Sequence, residues 1–282
     1  MALLSRVQTF MEKFAPLKLA AGAWDNVGTL LEVPKPRVNA NKIFLTIDLT
    51  SDTLEEALSD ESVGVIISYH PPIFVGWKSL VMSDYKKSLI LKAAVEGVSI
   101  YSPHTALDSC KFGINNWLCE CLGEGTSFPI TPFVDPELVD QEGAGEGRIL
   151  ILKEPQTLTN LVARTKSVFG LDHVRVARTD NHSKENEKNF PIQKIAICAG
   201  SGSSVIKNSK VDLFFTGEMS HHDILAATSA NISCILTEHS NSERGYLHVL
   251  KKYLEAGLNA NAKDLKVSIT ISTLDRDPIL IE

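Results

Sequence analysis

The stretch VGVIISYHPP, residues 63–72, is a nearly unbroken apolar run that ends on a tyrosine, a histidine and two prolines. A run this apolar suits a strand covered on both faces, as in parallel sheets. The prolines remove two backbone donors and fix φ, so the strand must stop there and its exit is stiff. The same habit recurs in VSIYSPH (98–104) and ISCILTEH (232–239), where His104 and His239 also close apolar runs. Why core strands should repeatedly end on a histidine is the question the sequence poses.

Working outward, KIFLTIDLT (42–50) reads as a strand leading into a helix capped by Thr50, Ser51 or Asp52, with Leu54, Ala57 and Leu58 inward. Residues 89–96 read as a helix closed by Gly97, and 114–122 as another closed by Gly123. Leu3, Val7, Phe10, Met11 and Phe14 fall at helical spacing and predict an N-terminal amphipathic helix. A helix is also expected over 157–170, with Leu158, Leu161, Val162, Thr165 and Phe169 on one side. The second half repeats the theme with strands at 194–200, 211–218, 232–239 and 265–272 and helices at 220–229 and around 245–255. Strand–helix alternation of this kind predicts an α/β fold: two related lobes with mixed, largely parallel sheets and a site at strand carboxyl ends. The expected division is 1–130 for the first lobe, 131–190 for a connecting segment and 191–282 for the second lobe, the lobes forming one compact unit. Residues 132–148 and 178–189 read as exposed polar loops, with His182 a solvated surface histidine.

Length and composition bound the function. The 282 residues suit a large single domain or two lobes, and 44% hydrophobic with 22% charged residues is an ordinary globular balance. Net charge is −6, from 28 basic and 34 acidic residues, and without a Lys/Arg block there is no nucleic-acid footprint. The chain lacks an apolar run of the roughly 18 to 20 residues that crosses a bilayer. The N-terminus lacks the pattern of a secretory signal, and Glu12 argues against a mitochondrial presequence. Five scattered cysteines suit core thiols in a reducing compartment. Cys119 and Cys121, two apart on a helix, diverge too much to make a metal pair.

Five candidate metal ligands stand at three strand ends: His70, His104 with Asp108 four residues on, and His239 with Glu243 four residues on. A spacing of four puts two side chains on one helical face, about 5–6 Å apart at Cβ. Histidine with carboxylate is the donor mixture for zinc, iron or manganese. A lone strand-end histidine is ordinarily just a hydrogen-bonded polar residue, so the weight rests on the combination. In FFTGEMSHHD (214–223), Glu218 and His222 are candidates to line the same pocket in a catalytic role. Adjacent histidines on a helix diverge by about 100°, so one of His221 and His222 is expected to face a site. The loop CAGSGSS (198–204) has G-x-G but Val205 where a dinucleotide loop wants a third glycine, and a tight turn is the safer reading.

WDNVG (24–28), IISYHPPIF (66–74), PHTALD (103–108), FTGEMSHHD (215–223) and EHSNSERG (238–245) occur in an order that resembles the NIF-three-like family, also labelled GTP cyclohydrolase type-two homologues. The resemblance spans nearly the whole chain, in the compact form without the middle domain that longer members insert. It implies two α/β lobes with a dinuclear metal centre between them and a ring-shaped homohexamer. It also implies ligands at His70, Asp108, His239 and Glu243, with His104 close by or binding. One departure matters: many members carry two histidines before the proline, and here the first is Tyr69. A phenol, with an unperturbed pKa near 10, replaces imidazole poorly at neutral pH, so one or two ions per chain are expected. The activity implied is metal-dependent hydrolysis of a purine nucleotide such as GTP. The competing expectation is a metal-stabilised scaffold that binds transcription-regulatory proteins. A cytoplasmic location, with a mitochondrial or nuclear fraction, goes with either.

Overall fold

The computed structural model describes residues 2–260 and 266–281. The chain divides into two compact units, Met1–Leu107 with Tyr246–Asp275, and Asp108–Gly245 with Arg276–Glu282.

The first unit is built on a five-stranded sheet in the order Gly28–Leu31, Ser99–Ser102, Val63–Ser68, Lys42–Thr46, Ser268–Ile271. Its three inner pairings, from Ser99–Ser102 across to Ser268–Ile271, are parallel, and only the edge strand Gly28–Leu31 runs antiparallel. All six residues of Val63–Ser68 are buried, as the unbroken apolar run required. Successive side chains of a strand point to opposite faces, so such a strand needs cover on both. On one side Phe44, Ile66 and Ile100 pack with Leu54 and Ala57 of the helix Ser51–Leu58 and Leu89, Ile90 and Ala93 of the helix Tyr85–Val95. Truncating one of these aliphatic side chains to Ala would cost about 2–5 kcal/mol. On the other side lie the helices Leu3–Phe14 and Leu247–Asn259, which also pack on each other. Gly257 permits that approach, because a Cβ there would fall 2.2 Å from the Phe10 ring.

The expected helices form, with ends set by their caps. Thr50 caps Ser51–Leu58 through a reciprocal capping box with Thr53, an interaction worth about 1 kcal/mol. Asp84 starts Tyr85–Val95 earlier than the apolar spacing alone indicated. The final strand spans Ser268–Ile271 of the expected 265–272, and Leu265 lies outside the described residues.

The second unit carries a six-stranded sheet in the order Gly125–Phe128, Arg148–Gln156, Ile192–Cys198, Leu213–Thr216, Ser233–Leu236, Arg175–Ala177. Here the expectation of a largely parallel sheet needs correction. Only Ile192–Cys198, Leu213–Thr216 and Ser233–Leu236 pair in parallel, in two pairings, and the other three pairings are antiparallel. Two of the three come from the long strand Arg148–Gln156, whose start RILIL alternates buried and less buried positions and which pairs antiparallel on both sides; the third comes from the edge strand Arg175–Ala177. Its first residue overturns the reading of 132–148 as wholly exposed. Arg148 is buried, and its guanidinium donates to the carbonyls of Gly145 and Gly147, both at 2.6 Å, and of Cys110 at 3.3 Å.

His182 is a second correction. It is 4% exposed, with Nδ1 2.8 Å from the Ser233 hydroxyl, while Arg178 donates to its carbonyl at 2.5 Å. The polar segment around it folds back on the sheet edge instead of lying in water. All five cysteines are buried and unpaired by disulfide. Burial pushes the thiols of Cys110, Cys119, Cys121 and Cys234 up to about 12, which rules them out as ready thiolate ligands. Among the described residues, no helix is long and apolar enough to cross a membrane.

Candidate functional site

In the first unit, the exit from Val63–Ser68 is fixed by its neighbours. Tyr69 N–H donates to the Thr46 carbonyl at 2.9 Å and His70 N–H to the Ile47 carbonyl at 3.0 Å. The Ser68 hydroxyl donates to the His70 carbonyl at 2.7 Å, and the Ser102 hydroxyl to the Tyr69 carbonyl at 2.8 Å. The backbone on both sides of the histidine is thus held, and the two prolines then stiffen the start of the loop. His70 Nδ1 lies 2.9 Å from Asp48 Oδ1.

His104 opens the short helix His104–Ser109 with φ of 32°, a backbone conformation that non-glycine residues seldom adopt. Its N–H reaches the Tyr69 carbonyl at 3.2 Å, and its Nδ1 lies 2.6 Å from Asp25 Oδ1. The His70 and His104 rings stand 5.4 Å apart, edge to face, with the buried Tyr69 ring against both. Tyr69 therefore packs against both imidazoles from the position at which the resemblance gives many members a second histidine. Trp24 stands at 6.0 Å from the His104 ring and is itself largely exposed.

The Asp25 side chain is fully buried. Burial pushes its carboxyl up, but hydrogen bonds from His104 and Thr105 outweigh that and hold it below the usual carboxylate range. Asp108 follows four residues after His104, half-buried, with its carbonyl accepting from Asn115 Nδ2 at 3.1 Å.

In the second unit, His239 follows the strand Ser233–Leu236 and Glu243 lies in the one-turn helix Asn241–Arg244. The spacing of four brings His239 Nε2 within 3.5 Å of Glu243 Oε1, and the Glu243 side chain is 2% exposed. Gly200 faces this pair with φ of 60°; a Cβ there would sit 2.7 Å from Glu243 Oε1 and 2.9 Å from His239 Nε2. The loop after Ile192–Cys198 is thus a turn that comes close to two donor atoms, which is a different use of its glycine from a phosphate cradle. Ser242 ties the parts together, donating to the His239 carbonyl at 2.6 Å and accepting from Gly200 N–H at 2.8 Å.

Glu218 places Oε1 2.8 Å from His239 Nδ1. His222, by contrast, stands exposed in the first turn of the helix His221–Ser229, its ring 5.4 Å from that of His221, which is exposed as well. Glu238, next to His239, has φ of 68° and is gripped by Arg175 through two hydrogen bonds of 2.5 and 2.9 Å. Arg175, Ser201, Glu218, Met219, Ser220, Glu238, Ile279 and Ile281 line a cavity of about 560 Å³. Asp25, Asp48 and Gly200 were not singled out by the sequence. The signal was present only as unassigned polar residues within WDNVG, TIDLT and CAGSG.

A profile of the Duf34/NIF3 family (NGG1p interacting factor 3) matches residues 2–278. The chain belongs to that family. It is 42% identical over 278 residues to the protein NIF3 homolog of Schizosaccharomyces pombe, covering 98% of this chain and 96% of that one. It is 34% identical over 290 residues to NGG1-interacting factor 3 of Saccharomyces cerevisiae, covering 99% and 97% respectively. Among solved structures, Staphylococcus aureus protein SA1388 superposes with a TM-score of 0.82 at 22% identity, over 100% of this chain and 99% of that one. That likeness shows a shared mixed α/β fold.

Proposed function

We propose that this NIF3-family chain is a divalent-metal-dependent hydrolase that binds one or two ions through ligands among His70, His104, Asp108, His239 and Glu243, the set that the family resemblance implies. The observation that carries the reading is the pair of donor atoms on His239 and Glu243, with Gly200 leaving the space before them clear of a side chain. Imidazole beside a buried carboxylate, as in the His239–Glu243 pair, is a donor mixture for zinc, iron or manganese, so the residues fit the group that the family resemblance implies. An ion bound there would supply hydroxide near neutral pH, since a divalent ion lowers the pKa of its water from 15.7 toward roughly 7.

The protein's own groups divide the remaining work. His70, His239 and Glu243 bind and orient. Glu218 or His222 relays protons to and from the reacting water, and Tyr69 excludes water from between the imidazoles. For the substrate we take a purine nucleotide such as GTP, hydrolysed at C8 of its imidazole ring, on the strength of the resemblance to GTP cyclohydrolase type-two homologues. The cavity beside Glu218 falls within the range of about 300–1,000 Å³ typical of small-molecule sites. The test is to load the protein with zinc, manganese or iron, add GTP and follow loss of the intact purine ring. Turnover that disappears in His239→Ala supports the reading; turnover unchanged in His239→Ala, or none with any metal, contradicts it.

A second reading has its own support. The yeast relative is named for interaction with NGG1, and Trp24, Phe74, Val75, Leu80, Val81 and Met82 of the first unit are exposed. In that reading the protein is a metal-stabilised partner of transcription-related proteins, and its metal site is closed. A hexameric ring and a cytoplasmic location, with a mitochondrial or nuclear fraction, rest on the family resemblance and belong to the proposal under either reading.

A further inference from the structure

Three strand-end histidines, in both units of the chain, share one local arrangement. His70 Nδ1 meets Asp48 at 2.9 Å, His104 Nδ1 meets Asp25 at 2.6 Å, and His239 Nδ1 meets Glu218 at 2.8 Å. In every case the contact uses Nδ1 and the partner is a carboxylate. An ionised carboxylate only accepts hydrogen bonds, so its contact at Nδ1 favours the imidazole proton there and Nε2 as the unprotonated nitrogen; at His239 that contact, at 2.8 Å, is shorter than the 3.5 Å from Nε2 to Glu243 Oε1. The carboxylates come from separate segments, 22, 79 and 21 residues from their histidines.

The Asp25 pair shows how strongly one of these is built. Its side chain is fully buried, where an acidic group needs several donors to stay ionised. It has them: His104 Nδ1 and Asn26 N–H on Oδ1, and the Thr105 hydroxyl and N–H on Oδ2. Asn26 in turn donates to the Ile73 carbonyl at 2.6 Å, tying this segment to the loop after the two prolines. The WDN segment thereby acquires a purpose that its sequence did not reveal.

We propose that Asp25, Asp48 and Glu218 are positioning residues that hold His104, His70 and His239 in the Nδ1–H form, so that each presents Nε2 to a divalent metal ion. This rests on the metal-centre reading above and sharpens it. Carboxylate partners behind metal-binding imidazoles fix both tautomer and ring orientation. Glu218, engaged with His239, acts through that histidine. Asparagine cannot replace Asp25, because either orientation turns its amide N–H₂ toward a neighbouring donor. Turned toward His104, it obliges Nδ1 to accept and moves the proton to Nε2, where it blocks a metal.

The experiment has two readouts on the full chain. With ¹⁵N-labelled histidine, ring-nitrogen correlation spectra of the metal-free protein report which nitrogen of each imidazole is protonated. Competition with a chromophoric chelator reports affinity for zinc alone. Wild type should show Nδ1–H at His70, His104 and His239. Asp48→Asn, Asp25→Asn and Glu218→Gln should each alter the spectrum of their own histidine and lower zinc affinity about 10- to 100-fold. Predominant Nε2–H in the wild type, or zinc affinity within a factor of about two of wild type in all three variants, would overturn the proposal. Should Asp25→Asn not fold, the other two carry the test, their carboxylates being 40% and 42% exposed. His239→Ala separates positioning from metal binding itself. If it abolishes zinc binding while the three variants do not weaken it, positioning fails and the metal centre stands. If it too leaves zinc binding intact, the metal centre itself is wrong.

Discussion

Gly200 stands so close to His239 that a Cβ on it would lie 2.9 Å from the imidazole Nε2 and 2.7 Å from the Glu243 carboxylate. Its φ of 60° adds a conformational reason for glycine. Gly200→Ala should therefore do two things at once. Stability should fall by about 1–3 kcal/mol from the strained backbone, read by urea denaturation. Zinc affinity should fall by at least about tenfold, because the methyl group occupies the space before the donors. Wild-type zinc affinity in a folded Gly200→Ala protein would show that the space is not a binding site.

Arg175 and Glu238 offer a test of how the strand end is held. Glu238 sits at φ of 68° immediately before His239, and Arg175 clamps its carboxylate from both sides. Arg175→Ala removes the clamp from a nearly buried acid while the arginine itself is half exposed, so the expected loss is about 1–3 kcal/mol. Arg175→Lys should recover only part of it, since an ammonium cannot make the paired contact. Urea unfolding of both variants would decide this, and an unchanged midpoint in Arg175→Ala would contradict it.

His182 predicts a pH dependence whose sign can be worked out. Burial in its loop depresses its pKa below the usual 6.5, so the unfolded chain takes up the proton first as pH falls. Stability from this group is fully present above pH about 6.5 and declines as pH drops below that toward the depressed folded value. His182→Gln should flatten the fall in unfolding free energy between pH 7 and 5. Identical slopes for the variant and wild type would mean that the histidine is not buried neutral.

Thr50 provides a local control away from the site. Its side chain and that of Thr53 satisfy each other's backbone donors at the start of Ser51–Leu58. Thr50→Ala should cost about 1 kcal/mol and leave zinc affinity unchanged. A loss of metal binding in this variant would show that affinity tracks general stability, which would weaken the interpretation of every other substitution.

Legibility in the sequence tracks the range of the forces involved. Val63–Ser68 was legible because burial on both faces leaves an unbroken apolar run, and Ser51–Leu58 because a cap is a contact between residues three apart. Arg148–Gln156 was missed, since its alternating pattern carries charges and its partners lie on either side in space. Polar neighbours made His182 look solvated, although Ser233, its hydrogen-bond partner, is 51 residues away. The same holds at the candidate site. His239 and Glu243 are four apart and could be paired on paper, whereas Asp25 meets His104 across 79 residues. Tyr69 marks the remaining gap: its substitution was visible at once, but its buried place against two imidazoles was not.

Metal content per chain, measured on protein prepared without chelators or a histidine tag and incubated with zinc, manganese or iron, decides whether this chain holds a metal centre. The comparison is wild type against His239→Ala and Tyr69→His. One or two ions in the wild type, lost in His239→Ala, is the result expected. A rise from one ion to two in Tyr69→His would show that the tyrosine has cost this chain half of a dinuclear centre. No ion in the wild type under metal-replete conditions, or metal retained in full by His239→Ala, would contradict the account.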